Sequence, residues 1–88
     1  MIYPFMTLPD DTEITHTEMR EDGTVKVYIE TPTEGGFKDA TCILPGYIWE
    51  NHGYSDEEMN YYKDLVERAA HLFLKFGRGG GFEHATNF

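Results

Sequence analysis

Cysteine, serine and basic residues are scarce in this chain, and so are long hydrophobic runs. Of its 88 residues, one is cysteine and seven are lysine or arginine. Cys42 is alone, so no internal disulfide can form and packing must hold the fold. No apolar stretch approaches the roughly 18 residues of a membrane span. The opening MIYPFMTLPDD has neither the basic start nor the long apolar centre of a secretory signal. A cytoplasmic protein with no membrane association is expected. Seven bases against sixteen acids leave a formal charge of −9 with the histidines neutral. Nucleic-acid affinity comes mainly from basic residues that displace counterions from phosphates, so direct binding to nucleic acid is disfavoured.

The same scarcity narrows the chemistry. Ser55 is the single serine, and its place before an acidic, helix-forming segment makes it a cap rather than a nucleophile. Cys42 falls in a strand-like stretch and reads as a small core residue. His16, His52, His71 and His84 show no HxH or HxxxH spacing, so no metal site is expected. The glycines of GRGGG follow a helix end, whereas phosphate-binding glycine loops lead into a helix start. Asp10-Asp11 belongs to a turn and Asp56-Glu57-Glu58 to a helix N-terminus, where negative charge has local reasons. No catalytic residue and no cofactor are assigned.

What is present is a composition of 40% hydrophobic and 15% aromatic residues, enough for one globular core but not for two. The reading is a single α+β domain over residues 1–76 and a flexible glycine-rich tail over 77–88. MIYPFMTL suggests an edge or irregular strand because Pro4 cannot donate to a ladder. EITHTEM and TVKVYIET flank Glu21-Asp22-Gly23 as a hairpin. Matching like residues across it pairs Met19 with Val25 and Glu18 with Lys26, which buries Thr15, Thr17, Met19, Val25, Val27 and Ile29. His16, Glu18, Lys26, Tyr28 and Glu30 then face out. Residues 32–36 are expected to turn, FKDATCIL to form a fourth strand, and GYIWENHGY to be an ordered connection whose aromatics pack.

The most marked pattern is a helix from Asp56 to Phe76. Ser55 and Glu58 complete a capping box, with Tyr54 and Met59 at the staple positions. Met59, Tyr62, Val66, Ala69, Phe73 and Phe76 recur at spacings of three and four. Gly77 is expected just past the helix end. The architecture is therefore a three- to four-stranded antiparallel meander packed against one long C-terminal helix. The apolar stripe is wide, so a homodimer through its margin at Tyr61, Leu65 and Leu72 is an open option.

Residues 1–58 hold thirteen acids and three bases, whereas residues 59–88 hold three acids and four bases. Acidic side chains two apart on a strand face stand about 7 Å apart, a spacing able to imitate a row of phosphates. Glu18, Glu21, Asp22 and Glu30 are the acidic candidates for meeting a basic protein, a nucleic-acid-binding protein being one option. Tyr47 and Trp49 are aromatic candidates for anchoring it. The rival reading is a small ligand-binding or enzymatic domain with a pocket near Trp49, formed by Cys42, Glu50 and His52.

ILPGY followed by GYSDEEMNYYKDLVERAAHLFLKF resembles HicB-like antitoxins, in which strands, a Leu-Pro-Gly turn and an amphipathic helix with an acidic start occur in that order. That resemblance implies a toxin-binding role with helix and sheet facing the partner, and it carries over no catalytic residue. Small size and acidity also make the chain similar in physical type to phage inhibitors of host defence, including anti-CRISPR proteins.

The helical period sets a first test. Phe73→Ala should lower stability by roughly 3–5 kcal/mol and Ser55→Ala by about 1 kcal/mol, while Lys75→Ala should change it by less than about 0.5. Chemical denaturation reads all three, and a larger loss at Lys75 than at Phe73 would mean that the helix presents a different face.

Overall fold

The computed structural model describes residues 1–79, so residues 80–88 of the expected tail, with Phe82, His84 and Phe88, lie outside the described residues, whereas Gly77 and Arg78, expected in that tail, belong to the helix. Five strands follow one another as β1 (Ile2–Thr7), β2 (Glu13–Thr17), β3 (Val25–Thr33), β4 (Gly36–Leu44) and β5 (Ile48–His52), and helix α1 (Asp56–Arg78) closes the order. The strands form one antiparallel meander with neighbours in sequence order. The class is α+β as expected, with one more strand than expected. Ile48–His52, read from sequence as a connection, pairs with β4 from Ile43↔Ile48 to Asp39↔His52. Its alternation is hard to see because Trp49 is its single large inward residue. Pro45, Gly46 and Tyr47, the last at φ +52°, turn the chain back alongside β4.

One face of the sheet carries the core. Ile14, Val25, Val27, Ile29, Ala40, Cys42 and Leu44 are buried against Tyr54 and, on the helix, Met59, Tyr62, Val66, Ala70 and Phe73. Phe5 joins them at the one irregularity of β1, between Pro4 and Met6, stacking on Phe73 with ring centroids 4.2 Å apart. Pro4 sits on the edge strand, where its missing N–H is harmless.

The register of the β2–β3 hairpin corrects the expectation. Ile14 lies opposite Ile29 and His16 opposite Val27, one residue away from the Met19–Val25 alignment. The buried face of β3 is the expected one, but that of β2 is inverted: Ile14 and His16 turn inward, and Thr15 and Thr17 outward. Ile14 is the reason. It is the one large aliphatic residue of β2, and burying it is worth about 1.5–3 kcal/mol, more than two threonine methyls can return. The three-residue turn Glu21-Asp22-Gly23 is kept, with Arg20 N–H donating to Thr24 O at 2.8 Å and Gly23 at φ +81°, and the one-residue offset is taken up between Thr17 and Arg20. Thr17 Oγ1 accepts from Lys26 N–H at 3.1 Å, extending the pairing with a side chain. His16 enters the core with its Nδ1 2.8 Å from Thr17 O. A carbonyl only accepts, so Nδ1 carries the hydrogen; the ring packs edge-on to Phe73.

Residues 32 and 33, expected in a turn, belong to β3, and the β3–β4 connection narrows to Glu34-Gly35. At the helix start the capping box is complete: Glu58 N–H donates to Ser55 Oγ, and Ser55 N–H donates to Glu58 Oε1. A hydroxyl chain ties this end together. Tyr54 O–H donates to Lys38 O at 3.2 Å, so it accepts from Thr31, which in turn accepts from Thr12.

At the other end, Gly77 corrects a second expectation, because it lies inside the helix and is buried. Its carbonyl accepts from Met19 N–H at 2.9 Å. A Cβ there would stand 2.7 Å from Val25 Cγ2 and 3.3 Å from Met19 N, so the glycine lets the helix lie on the sheet. Gly→Ala inside an ordinary helix gains about 0.5–1 kcal/mol. Gly77→Ala should instead lose roughly 1–3 kcal/mol, because Val25 is buried and stiff. An unchanged or higher denaturation midpoint would remove the close approach from the account of this fold.

Candidate interaction surface

Helix α1 covers only one face of the sheet. On the opposite face β2 presents Glu13, Thr15 and Thr17, β3 presents Lys26, Tyr28, Glu30 and Pro32, and β4 presents Phe37, Asp39, Thr41 and Ile43. Antiparallel pairing brings three carboxylates into one transverse row: Glu13 is opposite Glu30, and Glu30 is opposite Asp39. Adjacent strands lie about 4.8 Å apart, so the row runs roughly 10 Å across the sheet. His52 ends it, with Nδ1 2.9 Å from Asp39 Oδ1 and Nε2 4.0 Å from Glu50 Oε2. Lys26 is drawn away from the row and sits over the Tyr28 ring, 5.3 Å from its centroid.

Two depressions flank Glu30. One, of about 450 Å³, lies between Thr7, Asp11, Glu13, Pro32 and Phe37; the other, of about 220 Å³, lies between Ile2, Thr15 and Tyr28. Ile2, Phe37 and Ile48 are exposed large apolar residues, Phe37 at 67%. The surface thus combines a line of negative charge with separated apolar residues.

The residues singled out from sequence do not form one group. Glu18, Glu21 and Asp22 are exposed beside the β2–β3 turn, whereas Glu30 lies five residues further along β3 in the carboxylate row. Tyr47 is exposed in the β4–β5 turn, at the same end of the sheet as the hairpin turn. Trp49 pairs with Cys42 and is half-buried on the helix side. Cys42 therefore faces the helix while Glu50 and His52 face away from it, and the sheet separates the thiol from the other two. Of the residues singled out from sequence, Glu30 lines both depressions, and Glu18, Glu21, Asp22, Cys42, Tyr47, Trp49, Glu50 and His52 line neither. Glu13 and Asp39 are the members of the row that sequence reasoning did not pick out as partner-binding. Asp39 was accessible through alternation with Ala40, Cys42 and Leu44, and Glu13 through recognising Ile14 as the inward residue.

Side-chain chemistry follows from these surroundings. Burial pushes the Cys42 thiol up to about 11 and the Tyr54 hydroxyl up to about 12. Hydrogen bonds from the Thr12 and Thr24 side chains and backbone hold Asp10 and Asp22 below the ordinary carboxylate value. The Ser55 backbone and then Lys38 do the same for Glu58. All three are ionised at neutral pH. The stabilisation from these bonds is present above the ordinary carboxylate values and is lost as pH falls through the lowered ones. Among the described residues, no three His, Cys, Asp or Glu side chains converge to hold a metal ion, and no helix is long and apolar enough to cross a membrane.

No protein family, characterised protein or solved structure matches this chain. The HicB-like resemblance is accordingly one of element order, and the surface has to be read from its own residues.

Like charges directly opposite on a sheet oppose folding. Glu30→Lys replaces two repulsive pairs with two attractive ones and should raise stability by about 0.5–1 kcal/mol at low salt, less at about 1 M NaCl. Denaturation curves at the two salt concentrations check this; a lowered midpoint at low salt would mean that the carboxylates do not repel across the strands.

Proposed function

We propose that this protein is a small acidic, non-catalytic interaction module that binds a basic protein surface, its partner being one that otherwise holds nucleic acid. The observation that carries this reading is the in-register row Glu13, Glu30 and Asp39 on the sheet face left open by the helix. A regular line of carboxylates on a rigid sheet offers a basic groove the charge pattern of a phosphate backbone, with no nucleotide to be cleaved or read. Apolar contacts at Ile2, Phe37 and Ile48 add the desolvated area that charge alone does not supply. Glu18, Glu21, Asp22 and Tyr47, beside the hairpin turn and in the β4–β5 turn, extend the acidic and aromatic surface at the opposite end of the sheet.

Affinity capture from the native host cell, followed by competition with duplex DNA on the captured protein, tests the reading. The module should displace the DNA, with an association rate that falls as salt rises. Glu13→Gln, Glu30→Gln and Asp39→Asn combined should weaken binding roughly tenfold or more. The hairpin set Glu18→Gln, Glu21→Gln and Asp22→Asn then measures the share of the turn. Unchanged binding after both sets are combined would remove acidic mimicry from the mechanism.

A further inference from the structure

A third concavity lies away from the open sheet face. It is a groove of about 450 Å³ between the β1–β2 loop, which supplies Leu8 and Pro9, and the first turns of α1, which supply Tyr61 and Tyr62; Asp10 and Glu57 line it as well. Tyr62 is buried, whereas Tyr61 is 56% exposed and stands edge-on to it, with ring centroids 5.4 Å apart at 77°. The remaining lining residue, Glu58, is engaged by Lys38 at 3.1 Å. No basic residue lines the groove.

We infer that this groove receives an arginine side chain of the basic partner. Leu8, Pro9, Tyr61 and Tyr62 give the groove apolar and aromatic walls, and its unneutralised charge is negative, so its complement is a flat, apolar-stemmed cation. A guanidinium meets both requirements: its plane stacks on a tyrosine ring while its N–H fork reaches a carboxylate. An ammonium is more strongly hydrated and lacks the planar face, so lysine should bind less well. Asp10 is held in place by Thr12 N–H at 3.0 Å, so one carboxylate is positioned before the ligand arrives, and Glu57 supplies a second from the first turn of the helix. The inference rests on the reading of the protein as a binder of basic surfaces, and it adds a specific anchor to it.

The probes are three blocked tripeptides, Gly-Arg-Gly, Gly-Lys-Gly and Gly-citrulline-Gly, titrated into the full chain and followed by NMR. The arginine peptide should shift Leu8, Tyr61 and Tyr62 resonances saturably with a Kd on the order of 1–10 mM. The lysine peptide should bind several-fold more weakly, and the citrulline peptide, equal in shape but uncharged, should not saturate. Tyr61→Ala and Glu57→Gln, both at exposed positions, should each weaken the arginine peptide roughly fivefold, and Tyr61→Phe should retain it. Equal binding of citrulline and arginine, or shifts confined to the strands that carry Glu13, Glu30 and Asp39, would overturn the groove as the arginine site. The triple variant of the carboxylate row separates the two ideas. If it abolishes DNA displacement yet leaves the tripeptide shifts intact, groove and sheet face are independent contacts; if it abolishes the shifts as well, the groove is not the site.

Discussion

Burial of Ile14 is the constraint on which the rest of this molecule depends. It is fully enclosed between the sheet and α1, and it sets the register of β2 against β3. Side chains alternate with a period of two, so placing Ile14 inward also places His16 inward and Glu13 outward. Glu13 then meets Glu30, which β4 independently sets against Asp39. The charge pattern of the open face is thus a by-product of apolar packing on the other. A one-residue slip would bury a glutamate position, expose Ile14 and dissolve the row.

The helix is fastened at both ends by unlike means. Near its start, polar groups do the work: the capping box, the Lys38–Glu58 pair and the hydroxyl chain through Tyr54 join the β1–β2 loop, β3 and β4 to the first turn. Towards its end Phe73 packs on Phe5, and Gly77 brings helix backbone within hydrogen-bonding distance of Met19. With the helix committed to one face in this way, the opposite face is left to water or to a partner. Aligned carboxylates on that face oppose folding, so the row is carried at a cost that the packing on the other face offsets.

Much of the architecture was legible in the chain. The spacing of Met59, Tyr62, Val66 and Phe73, the Ser55–Glu58 box, the inward Val25, Val27 and Ile29, and the edge position signalled by Pro4 are all local patterns, and each appears in the structure. Strand β5 was obscured because a single tryptophan carries its inward face. Gly77 was misplaced because a glycine near a helix end has two uses, as a terminator and as a point of close approach, and the choice depends on whether Val25 lies against it.

The candidate surface divides along the same line. Composition alone established that the first two thirds of the chain are strongly acidic and that bases are few, seven against sixteen acids. Which acids stand together was decided by tertiary structure, since Glu13, Glu30 and Asp39 are joined only through strand pairing. Local periodicity determines which residues share a face of one element, because it follows from backbone geometry over a few residues. Register between elements follows from the competition to bury particular side chains against a distant helix, and here one isoleucine settled it.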